Sequence, residues 1–183
     1  MKNICILTML LFTLLYNGQI TSLVINNYTP HYIKARIFAN GLNGNCYPSV
    51  ISEPSPGQST WQMPPAPSSV SPFSVTYDKY SNSNLASIPI MNWYRKTSAT
   101  NPYIYTSHNS AAFLPTGIIA SNTDWSFMWM QTFDGGNISF DDFFAGSPTN
   151  NCNGPSSTYQ VGTNSEAEWF TIGNNTFVQI YEI

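Results

Sequence analysis

Apolar and polar side chains alternate with a period of two along most of this chain, and no stretch of about a dozen residues carries a helical stripe. In 32–38, Ile33, Ala35 and Ile37 alternate with Tyr32, Lys34, Arg36 and Phe38. The Asn40-Gly41 and Asn43-Gly44 pairs that follow carry turn chemistry. The same reading predicts strands at 23–27, 58–63, 73–80, 88–94, 103–107, 118–120, 125–133, 138–144, 167–172 and 176–183. Short strands at this spacing, separated by Gly, Pro, Asn and Ser, predict an all-β chain folded as a single antiparallel β-sandwich, with a closed β-barrel as the alternative. Prolines cannot donate to a sheet ladder, so Pro54, Pro56, Pro64, Pro65, Pro67 and Pro72 predict an extended crossover between sheets.

The densest segment is TDWSFMWMQTFDGGNISFDDFF, residues 123–144. Gly135-Gly136 reads as a two-residue hairpin turn that supplies positive φ angles, closed by Asp134 and Asn137. That turn sets a register in which Trp129 faces Asp142, Met130 faces Asp141 and Met128 faces Phe143. One face then holds Trp125, Phe127, Trp129, Phe133, Ile138, Phe140 and Phe144, read as a sandwich core with Asp142 at its margin. The other holds Met128, Met130 and Phe143 among Ser126, Thr132, Ser139 and Asp141. A half-buried strand is apolar on one face only, so Met128, Met130 and Phe143 are either covered by the protein itself or exposed as a docking patch. Trp129 beside Asp142 would join a flat ring to a carboxylate that grips hydroxyls, and Trp125 completes this candidate binding set.

The ends place the chain in a cell. Lys2 precedes an apolar run at 4–15, and Tyr16-Asn17-Gly18 follows, which reads as an export leader over residues 1–18 ahead of one domain over 19–183. The run is shorter than the roughly twenty residues a membrane-spanning helix needs. The expected location is therefore secreted, extracellular or associated with a cell surface. Cys5 leaves with the leader, so Cys46 and Cys152 are expected to pair as one disulfide.

Charge then narrows the partners. Charged residues are 8% of the chain and aromatics 15%, a surface that is polar without being charged. Beyond the leader the only cations are Lys34, Arg36, Lys79, Arg95 and Lys96, too few to neutralise a nucleic-acid backbone or an anionic membrane.

The catalytic and metal chemistries are thin. His31 and His108 are the only histidines, no Gly-x-Ser-x-Gly elbow occurs, and Ser107 and His108 would point to opposite faces of a strand. Two histidines without a nearby third ligand do not make a zinc site. No cofactor is expected. The alternative is a calcium ion held by the oxygens of Asp134, Asn137 and Asp141, with Asp142 beside them, although their spacing does not fit an EF-hand. Glu166 and Glu168 should share one strand face, the minimum for a carboxylate-based glycoside hydrolase. Asn-x-Ser/Thr sequons stand at Asn27, Asn137 and Asn174.

These features lead to a non-catalytic binding module whose ligand is a neutral glycan or another cell-surface partner. A structural or adhesive subunit of an extracellular assembly is the alternative, and the hydrolase comes third.

Overall fold

The computed structural model describes residues 22–53, 60–68, 70–78, 80–149, 152 and 157–183. The expected leader at 1–18, positions 58 and 59 of one expected strand and position 79 of another lie outside the described residues. Among the described residues twelve strands follow in chain order. They are β1 (Ser22–Asn27), β2 (Tyr32–Gly41), β3 (Ser49–Glu53), β4 (Trp61–Met63), β5 (Phe73–Tyr77) and β6 (Asn92–Lys96). Then come β7 (Ile104–Ser107), β8 (Thr123–Phe133), β9 (Ser139–Gly146), β10 (Tyr159–Val161), β11 (Ser165–Ile172) and β12 (Asn175–Glu182).

They form a sandwich of two sheets and not a closed barrel. A five-stranded sheet runs β10-β11-β12-β1-β5, and a seven-stranded sheet runs β7-β6-β3-β2-β8-β9 with β4 also paired to β2. Among the described residues the strand pairings are antiparallel except that of β1 with β12, and the isolated bridge of Ala145 to Ser157 is parallel as well. Strand β2 is long enough to hold two partners along one edge: β4 against Ile33, Lys34 and Ala35, and β3 against Phe38 and Ala39. Pro64, Pro65, Pro67 and Pro72 lie in the passage from β4 to β5, which is the expected crossover from one sheet to the other, while Pro54 and Pro56 lie outside the described residues. Asn27 pins it by donating Nδ2 to the carbonyls of Pro64 (2.9 Å) and His31 (2.8 Å), while its Oδ1 accepts from Thr29 N–H and Oγ1.

Two strands have no counterpart in the alternation. In β3 four of five residues are buried, so the polar beat that marks a half-buried strand is missing. Strand β10 is only three residues long. Conversely, 118–120 is not a strand. It belongs to a run of turns closed by Phe113 N–H to Ser110 O, Ala120 N–H to Ala112 O and Ser121 N–H to Gly117 O. Its apolar side chains serve as plugs: Phe113, Ile119 and Ala120 enter the core from the loop.

The sheets bury Leu23, Ile25, Val75, Ala167, Trp169, Val178 and Ile180 from one side, and Ile33, Ala35, Ile37, Met63, Met128, Met130, Phe143 and Ala145 from the other. Aromatic rings fill one end. Tyr80 meets Trp93 at 5.0 Å, Phe113 at 4.9 Å and Trp125 at 5.4 Å between centroids. The tilted and edge-on geometries let ring edges meet ring faces, and the hydroxyl of Tyr80 finds Thr123 Oγ1 at 3.0 Å. The disulfide between Cys46 and Cys152 spans 106 residues, with Cα atoms 5.1 Å apart, and joins the β2–β3 connection to the segment after β9. Constraining so long a loop in the unfolded chain corresponds to about 4 to 5 kcal/mol in the chain-entropy treatment.

A carboxylate closes the opposite end. Asp141 of β9 turns inward and accepts from Thr163 N–H (2.5 Å), Asn164 N–H (3.0 Å) and Ser165 Oγ (2.8 Å), all on the β10–β11 side of the sandwich. Its own N–H donates to Thr132 Oγ1 at 3.2 Å. Gly162 is required beside it, since a Cβ there would come within 2.4 Å of the carboxyl. Burial acts to raise the pKa of Asp141, but the donors from Thr163, Ser165 and Asn164 outweigh it and hold the carboxyl below the ordinary aspartate range.

Because the folded-state pKa is depressed, this contribution is complete above the unfolded value of about 4 and is lost as pH falls through the lower folded value. Asp141→Asn should cost about 2 to 3 kcal/mol at pH 7 in urea titration, since the amide cannot accept from every donor. The gap to the unsubstituted protein should narrow steadily as the pH is lowered below about 4.

Candidate functional site

The outward face of the seven-stranded sheet is fixed by β2. Lys34 and Arg36 cannot enter the interior without a large desolvation penalty, so Ile33, Ala35 and Ile37 point in and Tyr32, Lys34, Arg36 and Phe38 point out. Pairing passes this choice to the neighbour. Lys34 stands opposite Gln131, Arg36 opposite Trp129 and Phe38 opposite Phe127, which turns those β8 residues outward and sends Met128 and Met130 inward.

The expected assignment of the two hairpin faces is therefore corrected in part: Trp129, Ile138, Phe140 and Phe144 lie outward, while Trp125, Phe127 and Phe133 are buried as expected. Met128 and Met130 are fully buried and Phe143 is 1% exposed, so all three pack between the sheets and form no docking patch. Trp125 is also interior, beside Trp93 at 6.0 Å. It escapes the outward parity of Phe127 because Ser126 bulges out of the β2–β8 register. Of the six expected binding residues, Trp129 and Asp142 remain on the outer face, and Trp125, Met128, Met130 and Phe143 do not.

The hairpin register also differs, for two local reasons. Gly135 and Gly136 are not in the positive-φ region; Asn137 is, at φ 66°. Asp134 donates its N–H to Ile138 O at 3.0 Å, and its Oδ1 accepts from Gly136 and Ile138 N–H at 2.8 Å each, so the loop holds three residues. A bulge between Thr132 and Phe133 then adds Phe140 to one strand only. Trp129 thus faces Phe144, Met130 faces Phe143, and Asp142 faces Gln131. Asp142 is a diagonal neighbour of Trp129, one pair further along the same face.

The outer face is read most simply in rows across the strands. Tyr105, Tyr94, Ile51, Phe38, Phe127 and Gly146 form one line that crosses the sheet from β7 to β9. Six strands at about 4.8 Å spacing make this line roughly 24 Å long. Phe38 and Phe127 stack at 4.0 Å, and a Cβ on Gly146 would meet Phe127 Cβ at 2.3 Å, so only glycine lets the ring lie there. The next row is Arg36, Trp129 and Phe144, followed by Gln62, Lys34, Gln131 and Asp142. Phe144 is 40% and Tyr105 37% exposed and Trp129 is half-buried, whereas Phe127 and Gly146 of the first line are buried.

At the β7 end, Arg36, Ile51, Tyr94 and Tyr103 line a depression of about 220 Å³. Lys96 Nζ lies 5.5 Å from the Tyr103 ring and 5.6 Å from that of Tyr47. Burial, followed by the nearby Glu53 and Tyr94, raises the pKa of Tyr105, so its hydroxyl remains a protonated donor at neutral pH. At the β9 end Lys34 Nζ reaches Asn137 Oδ1 at 3.1 Å and lies 4.5 Å over Phe133. The surface thus offers flat apolar rings with hydrogen-bonding groups between and beside them.

Other expected chemistry falls elsewhere. Asp134 serves the hairpin loop, Asn137 takes the Lys34 ammonium and Asp141 takes its three donors, so these calcium candidates are engaged by the protein at separate positions. Among the described residues no three His, Cys, Asp or Glu side chains are grouped to hold a metal ion. His108 directs Nδ1 to the carbonyl of Ser81 at 3.0 Å, and His31 packs on Phe140 at 4.7 Å. The Asn27 sequon is buried and fully hydrogen-bonded, whereas Asn137 and Asn174 are exposed. Sequence reasoning passed over Phe38 and Arg36 as surface residues of one site. The signal was present in the charged beat of 32–38, once 125–133 was paired with that strand.

The two faces of β8 should respond oppositely to truncation. Met130→Ala should cost about 2 to 5 kcal/mol in chemical denaturation, whereas Trp129→Ala on the outer face should cost about 1 kcal/mol. Comparison of the chain with protein-family models, with curated protein sequences and with solved structures finds no match in any of the three.

Proposed function

We propose that this protein is an exported, non-catalytic binding module whose outer seven-stranded face takes an extended glycan. The observation that carries this reading is the pairing of Trp129 and Phe144 on an outward face, with Gln131 and Asp142 in the adjoining row. The C–H face of a sugar ring is apolar and fits against a flat aromatic side chain, while its hydroxyls need donors and acceptors at the rim. A line of side chains roughly 24 Å long suits an oligosaccharide better than a single ring. Export is supported by the sequence leader and by the Cys46–Cys152 disulfide, which persists in oxidising compartments. Among the described residues no helix is long and apolar enough to cross a membrane.

A structural or adhesive subunit is the second reading, favoured by the exposed edge strand β7. Its Ile104 is 48% exposed, with Tyr103 at 42% beside it, and edge strands of this kind pair with other chains.

Titration with a panel of neutral and charged oligosaccharides should quench tryptophan fluorescence for at least one glycan class. Trp129→Ala should weaken that binding by about tenfold or more, the loss of one well-packed aromatic contact. Met130→Leu, a volume-conserving change in the core, should leave it intact. Silence across the whole panel, together with sedimentation above the monomer mass, would replace the glycan reading with the assembly reading.

A further inference from the structure

The five-stranded sheet presents a different chemistry. From Thr97 to Ile183 the sequence contains no Lys or Arg, and this half supplies β10, β11 and β12. Strands β1 and β5 contain none either. Pairing places Glu166 opposite Tyr181 and Glu168 opposite Tyr159 and Gln179, with both carboxylates on the side of β11 that faces away from buried Ala167 and Trp169. No basic side chain on the sheet answers them.

Beside Glu168 the surface is concave. Tyr159, Glu168, Trp169 and Phe170 are among the residues that line a depression of about 380 Å³, together with Ser147 and Pro148 from the segment after β9. That volume falls within the range of small-molecule sites. Glu168 is the charged residue in its wall. The rings are held in place: Phe170 stacks on Phe177 at 5.2 Å and 11°, and Tyr159 donates its hydroxyl to Glu166 Oε2 and not to Glu168.

The occupant follows from this lining. A hard metal ion needs six or more oxygen ligands, and one carboxylate among aromatic rings does not supply them. An anion would meet Glu168 with no cation to offset it. A weakly hydrated organic cation satisfies both features, since ring faces attract positive charge and the carboxylate adds a direct Coulomb attraction. We infer that this depression binds an alkylammonium cation, with its charge toward Glu168 and its alkyl groups against Tyr159 and Phe170. The depression lies where β10 and β11 meet the segment after β9, so its wall draws on both sheets, and the Ser157 and Gln160 contacts to the Phe144 backbone tie it to the margin of the glycan face.

The test uses the disulfide-bonded protein, titrated with tetramethylammonium chloride and choline chloride while backbone amide shifts are followed by NMR, with sodium chloride at matched ionic strength as reference. Saturable shifts confined to residues around Glu168 are expected in the millimolar range. Glu168→Gln and Phe170→Leu should each weaken binding by about tenfold, with the remaining spectrum unchanged to show that the fold is intact. Co-sedimentation with phosphatidylcholine vesicles that choline competes away would assign the cation to a lipid headgroup. Binding of the soluble salts without vesicle capture would assign it to a free amine. Absence of saturation by both salts, or affinity unchanged in Glu168→Gln, would overturn the inference.

Discussion

Two cations on one strand set the inside and outside of half this molecule. Burying an ammonium or a guanidinium without full compensation costs several kcal/mol, more than most packing gains on one strand can return. Lys34 and Arg36 therefore hold alternate positions of β2 toward solvent, and β2 is the strand that β3, β4 and β8 all pair with. Through those pairings the choice spreads sideways: Trp129 and Gln131 turn outward on β8, and Phe144 and Asp142 follow on β9. The aromatic face is outward because charge made it so, and the methionines fill the interior because nothing on their side forbids it.

The two ends of the sandwich are closed by different means. At one end Tyr80, Trp93, Phe113 and Trp125 fill the gap between sheets with rings, a nondirectional solution aided by Thr123 and Ser83 as polar acceptors. At the other, Asp141 and Asn27 close it with directed hydrogen bonds from loop backbone and hydroxyl groups. Buried polar groups of this kind contribute little when satisfied and cost much when broken, so they restrict which loop conformations the ends can adopt. Both outer faces then stand on a frame whose strands cannot slide.

Much of the fold is legible in the chain. Period-two alternation in 23–27, 32–38 and 176–183 identifies long strands because each buries one face only, whereas 125–133 reads as a strand by residue type although both of its faces are largely buried. Strand β3 escapes because both of its faces are covered, and 118–120 misleads because loop residues plug a core as readily as strand residues do. The site was half legible. Trp129 and Asp142 are singled out by residue type, but their neighbours are set by the αL conformation of Asn137 and a bulge at Phe140, two features of one residue each that move every pair beyond them. A hairpin considered alone also cannot choose its inner face, since both faces of 125–144 are apolar; that choice needs the partner strand.

The parallel pairing of β1 with β12 has a kinetic meaning. Strand β1 lies between β5 and β12, and its contact with β12 joins positions separated by about 150 residues, the longest loop closure the topology demands. The partner β5 is close to β1 in the chain, but the opposite edge of β1 stays open until β12 pairs with it. While it waits, the row Leu23, Ile25 and Asn27 has no cover from β12, and its backbone donors and acceptors face water or whatever strand comes near. Commitment to the native sandwich thus waits on β12, and the interval before it pairs is when this sequence is most open to wrong pairing.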